Sequence, residues 1–232
     1  MIVLALTTST DRGSLALARS GRIIATKAWT RTAQHSETLT PQIAALLKKS
    51  KLTPEQIDVI AVDRGPGSFT GCRIAVNVAK TLAFSLEKPV FAPYSLDLMA
   101  RELAVNSRAK HLICLLDAHK SLYYFGSYAV DKEGMTQRKE KIVALSIQDI
   151  SSQIGPQTAV VGNFSRDVSE LLRKQKAKLS KSLSLNYPQA KTLALWASQT
   201  QAPGLFENWT RVEPAYIRSP DVVEKLSAFR DT

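Results

Sequence analysis

The 232-residue sequence is short of the residues that stand-alone chemistry usually needs. It holds two cysteines, Cys72 and Cys114, and three histidines, His35, His111 and His119. Two thiols inside a predicted helix and a predicted strand read as buried cysteines in a reducing compartment, not as a disulfide framework. No two histidines stand in H-x-x-x-H spacing and no H-E-x-x-H helix occurs, so a zinc hydrolase would lack its ligands. There is no G-x-S-x-G elbow, and neither cysteine has a base beside it in the sequence. His35 next to Ser36 reads as a helix start rather than a catalytic pair. No apolar run approaches the roughly 18 residues that span a bilayer. The opening Met1-Ile2-Val3-Leu4-Ala5-Leu6 has no basic leader and no cleavage site, and reads as a strand. A cytoplasmic protein without membrane contact is expected. Aromatics are only 7%.

Positive charge is what the chain has in excess, at a net +11. It gathers at Lys48, Lys49 and Lys51, at Arg138, Lys139 and Lys141, and along Arg173, Lys174, Lys176 and Lys178. No aromatics interleave with these runs, so they lack the pattern of a base-stacking nucleic-acid reader. They read either as a field that steers a polyanion or as solvated surface. With 44% hydrophobic residues the chain can build a proper core, in one large or two small domains.

Period and punctuation place the elements. Strands are expected at 2–7, 13–19 and 22–30, linked by tight turns and hence antiparallel. A helix covers about 36–49, either capped by Thr40 with Pro41 at its first position or begun near Ser36 and bent. A strand at 57–62, a long helix to 86, a short strand at 89–92 and a helix from 95 to about 105 follow. The order βββαβαβα is half of an α/β fold of the actin-like ATPase (ASKHA, sugar-kinase-type) class. A second, degenerate copy reads as strands at 111–117, 121–130 and about 138–144, helix 146–153, strand 158–162 and helices near 166–174 and 188–200. Two subdomains, 1–106 and 107–232, are therefore expected, with a last helix over 220–230 packing back on the first.

The chain centres on Arg64-Gly65-Pro66-Gly67-Ser68-Phe69-Thr70-Gly71-Cys72-Arg73-Ile74. A buried strand precedes it and a helix follows, with Ser68 as N-cap for the amide of Thr70 or Gly71. Free amides at a helix start can hold an anion. However, no Walker lysine is present, the glycines fall at 65, 67 and 71 instead of G-x-G-x-x-G, and Pro66 removes a donor. An anion site and a purely structural turn both remain open. Along the helix Gly71, Ala75, Ala79 and Ala83 recur every four residues, a small-residue stripe suited to close helix packing. That packing is either internal or across a subunit contact.

This run resembles the signature of the bacterial TsaB (YeaZ) family, and three more stretches match in order: His35-Ser36-Glu37-Thr38-Leu39, Leu115-Leu116-Asp117-Ala118 and Pro214-Ala215-Tyr216-Ile217-Arg218. The resemblance implies a non-catalytic scaffold or activator, an inactive homologue of the TsaD/glycoprotease family. It would serve the complex that transfers threonylcarbamoyl to the adenosine beside the anticodon of tRNAs reading ANN codons. It implies a heterodimer with the catalytic subunit TsaD, docking of the ATPase TsaE as a third subunit, tRNA met through the complex, and room for a homodimer when the partner is absent. No cofactor of its own is implied, ATP and metal being expected on the partner subunits. The partner interface implied covers His35, Ser36, Leu39, Ile43, Arg64, Gly65, Pro66, Gly67, Ser68, Phe69, Thr70, Gly71, Arg73, Ala75, Val76 and Ala79.

The alternative is an independent nucleotide-binding ATPase. Actin-like kinases and ATPases commonly place an acid at the end of the first strand, and TsaB-like chains often keep it; here that place is Thr7. Asp11 and Asp117 are the remaining carboxylate candidates, with Asp117 the better placed and a cap or turn its plainer role.

Overall fold

The structure, a computed structural model, describes residues 1–30, 35–155, 157–180, 182–200 and 203–218. Among them β1 (Ile2–Thr7), β2 (Arg12–Arg19) and β3 (Arg22–Thr30) form an antiparallel meander. Helix α1 (His35–Lys49) contains Pro41 within it, so the helix begins at the earlier of the two predicted starts. Then come β4 (Val59–Val62), α2 (Phe69–Leu86) and β5 (Val90–Phe91), with β1, β4 and β5 parallel. Helix α3 (Ser95–Asn106) leads to the second half: β6 (His111–Asp117), β7 (Leu122–Val130), β8 (Thr136–Arg138), β9 (Val143–Ser146), α4 (Ile147–Ser152), β10 (Thr158–Gly162), α5 (Arg166–Lys174) and β11 (Lys178–Leu179). Finally come α6 (Ala190–Gln199), β12 (Phe206–Glu207) and a single 3-10 turn at Trp209–Arg211.

Two six-stranded sheets result. The first runs β12-β5-β4-β1-β2-β3 and the second β11-β10-β6-β7-β8, with β9 also on β7. In both, an antiparallel unit is followed by strands parallel to its first member, the repeat of an actin-like ATPase fold. Strand β1 is buried from Val3 to Thr7 because both its faces are covered. Helices α1 and α2 pack on one face, giving Leu39, Ile43, Leu46, Ala75, Val76 and Ala79 to a core with Leu4, Leu6, Leu15 and Leu17. The other face receives α6. The second sheet has α3 on one side and α4 with α5 on the other.

Two sequence expectations change here. The third strand of the second half, expected at 138–144, is two strands, β8 and β9, both antiparallel to β7. The exposed charges of Lys139, Glu140 and Lys141 interrupt it, since solvated side chains gain nothing from a half-buried ladder. The helix expected at 188–200 as part of the second half packs instead on the first sheet. Ala190, Leu193, Ala194 and Ala197 lie against Val3, Ala5, Ala16 and Ala18. Small residues on both sides let helix and sheet approach closely, and a helical period alone does not say which sheet that will be. The helix expected at 220–230 lies outside the described residues.

Candidate functional site

The signature forms the connection from β4 to α2. Strand β4 is buried throughout, and the residue after it, Asp63, is a carboxylate with no exposure at all. Three donors meet it. The Ser9 hydroxyl donates to Oδ2, the Ser95 hydroxyl to Oδ1 at 2.5 Å, and the Gly65 amide to Oδ1 at 2.9 Å. Burial pushes this carboxyl above its ordinary value, and the three hydrogen bonds offset part of that push. Asp63 thus ties together the end of the β1–β2 turn, the glycine loop and the start of α3. Sequence reasoning passed over it; an aspartate between a buried apolar strand and a glycine turn was the available signal.

Glycine spacing has a packing origin. Any Cβ at Gly67 would strike the carbonyl oxygen of Ser9, and one at Gly71 that of Thr8. The Ser68 amide donates to Ser9 O at 2.7 Å, and the Thr8 hydroxyl donates to Gly71 O at 2.7 Å. The loop therefore lies flat on the segment after β1, and residues 67 and 71 must lack side chains to do so. Gly65 adds a φ of +99°. Ser68 caps α2 as expected, accepting from the Gly71 amide at 3.2 Å.

The residues implied as partner-facing divide into distinct groups. Gly71, Ala75, Val76 and Ala79 are buried inside the chain, as are Leu39, Ile43, Gly65 and Pro66, so their side chains are spent on packing within it. The small-residue stripe is internal core. Arg64 turns inward: its Nη2 is 3.5 Å from Glu207 and its guanidinium lies 5.8 Å from the Tyr94 ring centre. Arg138 lies 4.6 Å from the same ring centre and 3.5 Å from Asp97, so Tyr94 joins the loop to the second sheet. Phe69, Thr70 and Arg73 are exposed, and Gly67 and Ser68 partly so. The side chains of His35 and Ser36 lie outside the described residues.

Exposed positions on α2 follow a different line, Thr70, Arg73, Asn77, Thr81 and Phe84, with Phe84 at 63% exposure. Beside it α1 presents Thr40, Ala44, Ala45 and Lys48. At the head of α2, Phe69 packs on Tyr216 with ring centres 5.1 Å apart, and Arg73 lies 5.0 Å from the Phe69 ring centre.

Two clefts flank Ser68. One, of about 310 Å³, lies between Phe69, Tyr216, His119 and Arg218. The other, of about 340 Å³, brings Asp11 and Asp117 into one space with Ser9 and Asn163, at the junction of the two halves. Asp117 accepts the His119 amide at 2.8 Å, the turn role expected of it. Thr7 is buried, its hydroxyl 3.0 Å from that of Ser14. Among the described residues no group of three or more metal-type ligands comes together, and no helix is long and apolar enough to cross a membrane. Cys72 and Cys114 are buried, and desolvation drives both thiols up, away from nucleophilic thiolate.

The family described as "TsaD: tRNA N6-adenosine threonylcarbamoyltransferase" matches residues 23–150. The tRNA threonylcarbamoyladenosine biosynthesis protein TsaB of Escherichia coli is 26% identical over 229 residues, covering 97% of this chain and 98% of its own. The Bacillus subtilis protein of the same name is 36% identical over 142 residues, 60% of this chain and 59% of its own. The solved structure of YeaZ from Pseudomonas aeruginosa superposes with a TM-score of 0.77 at 28% identity, over 93% of this chain and 100% of that one. With the glycine signature seated in this fold, the chain belongs to the TsaB (YeaZ) family, within the wider family of TsaD.

Proposed function

We propose that this chain is a non-catalytic scaffold or activator in threonylcarbamoyladenosine synthesis, acting on tRNAs that read ANN codons through a complex. A TsaD-type subunit would pair with it and carry the chemistry, ATP and metal, and the ATPase TsaE would dock on the pair. The observation that carries the reading is the end of β1. Thr7 stands where an actin-like ATPase commonly has an acid, and its buried hydroxyl faces Ser14 instead of the cleft. A neutral hydroxyl engaged in the sheet supplies no anionic oxygen for magnesium.

The pairing surface is the outer line of α2, Thr70, Arg73, Asn77, Thr81 and Phe84, with the adjoining face of α1. Size-exclusion chromatography of the chain with its TsaD homologue tests this. Arg73→Glu with Phe84→Ala should leave the chain folded and weaken pairing at least about tenfold, about 1.4 kcal/mol. Pairing unaffected by both changes would remove this surface from the proposal.

A second reading has its own observation. Asp11 and Asp117 share the cleft at the junction of the halves, the place an independent ATPase would use. Steady ATP turnover by the isolated chain, lost in Asp117→Asn, would favour it over the scaffold.

A further inference from the structure

The second half carries a concentration of charge that the pairing surface does not use. Arg173 and Lys174 end α5, and Lys176 and Lys178 lead into β11; all four side chains are exposed. Within 173–178 there is no acidic residue, and four of the chain's 31 lysines and arginines fall in these six positions. The two carboxylates of α5 sit upstream, where Glu170 pairs with Arg166 at 3.2 Å. Among the described residues no carboxylate lies within ion-pair distance of the four cations.

Ordinary structural roles account for only part of this. Cations in a last helical turn complement the helix dipole, which covers Arg173 and Lys174. A lysine on an edge strand discourages edge-to-edge pairing, which covers Lys178 in β11 at the sheet margin. Neither role calls for four cations in six residues without one counter-charge. Placement matters as well. Helix α5 packs on β11 and α4 on one face of the second sheet, while α1 and α2 cover the first sheet, so the cluster and the α2 face belong to different sheets.

We propose that the α5–β11 corner is an RNA-contacting surface that grips the phosphate rows of a double-helical stem. The sequence from Ser165 to Ser180 has no aromatic residue to stack an unpaired base. A-form stems are read mainly through backbone and shape, and a row of cations suits that task. The proposal rests on the tRNA reading above and gives it a site on this chain.

The test is fluorescence anisotropy of the full chain with a labelled RNA hairpin and a single strand of equal length, between about 50 and 200 mM salt. Wild type should bind the hairpin more tightly than the strand. The combined change Arg173→Gln, Lys174→Gln, Lys176→Gln and Lys178→Gln should weaken hairpin binding about tenfold or more at low salt. It should flatten the dependence of log affinity on log salt by about 3.6, as expected when four phosphate contacts on a duplex are lost. A control with Lys49→Gln and Lys51→Gln should leave that slope nearly unchanged. Unchanged binding in the quadruple variant, equal loss in the control, or tighter binding of the single strand would each overturn the proposal. Pairing of the quadruple variant with the TsaD homologue, followed by size exclusion, should match wild type. Failure of wild type itself to pair would count against the scaffold reading and leave the RNA result to stand separately.

Discussion

The two halves contain the same unit, a buried strand, a loop and a serine-capped helix, and they use it differently. In the first half β4 feeds Asp63, the glycine loop and α2, which runs for 18 residues and buries Gly71, Cys72, Ala75, Val76, Ala79 and Ala83. In the second half β10 feeds Asn163, Phe164, Ser165 and α5, which runs for 9 residues and buries only Leu172. Both loops lie close to their neighbours: a Cβ at Gly162 would strike Leu115 O as one at Gly71 would strike Thr8 O. Both serine caps accept an amide three residues on. What separates them is the carboxylate hub and the run of alanines, which draw α2 into the core, while α5 stays a surface helix with its cations in water.

The largest expected effect is on the buried stripe. Ala79→Arg forces a cation into a site with no exposure and no partner, so the chain should lose several kcal/mol, on the order of 4 or more, and little soluble protein should remain. Ser169→Arg on α5 should change the unfolding free energy little in chemical denaturation, within about 0.5 kcal/mol. A soluble, fully stable Ala79→Arg protein would return the stripe to the surface.

Next comes the hub. Asp63→Ala strands the donors of Ser9, Ser95 and Gly65, for a loss of about 2–4 kcal/mol. Asn163→Ala, the exposed counterpart, should change stability by less than about 0.5 kcal/mol. Equal values would erase the contrast between the loops.

The hub also predicts a pH dependence. Because the folded carboxyl titrates above its ordinary value of 3.8, the folded state holds a proton that the unfolded state has released. Stability from this group is therefore greatest below that ordinary value and declines as pH rises through the folded value. Unfolding titrations of wild type and Asp63→Asn should show their difference shifting against wild type over that window, then levelling. A constant difference would mean that Asp63 titrates alike in both states.

The smallest effect concerns the link between the halves. Arg138→Ala removes a guanidinium from the Tyr94 ring and from Asp97, and with Asp97 still bonded to the Tyr128 hydroxyl at 2.8 Å the loss should be about 1 kcal/mol. Hydrogen exchange should rise first at the glycine loop, since Arg64 shares the same ring. Uniform exchange across both sheets would show that the ring does not couple them.

Much of this architecture was legible in advance. Period-two and continuous apolar runs marked β1, β2, β6 and β10, and helical runs marked α1, α2 and α3, because local pattern reports which elements form. The signature with its ordered companions pointed to the family. Ser68 as the α2 cap and Asp117 as a turn residue were also readable, being contacts between near neighbours in the chain.

Tertiary structure decided the rest, wherever the deciding partner lies far off in sequence. The stripe of Gly71, Ala75 and Ala79 looks the same whether it faces a sheet or another subunit; only the closeness of β1 and β4 turned it inward. Gly67 and Gly71 are spaced for the carbonyls of Ser9 and Thr8, and Asp63 for hydroxyls 54 residues before it and 32 after it. Helix α6 joined the first sheet because its alanines fit those of β1 and β2. Sequence sets the faces of each element, and long-range packing chooses what each face meets.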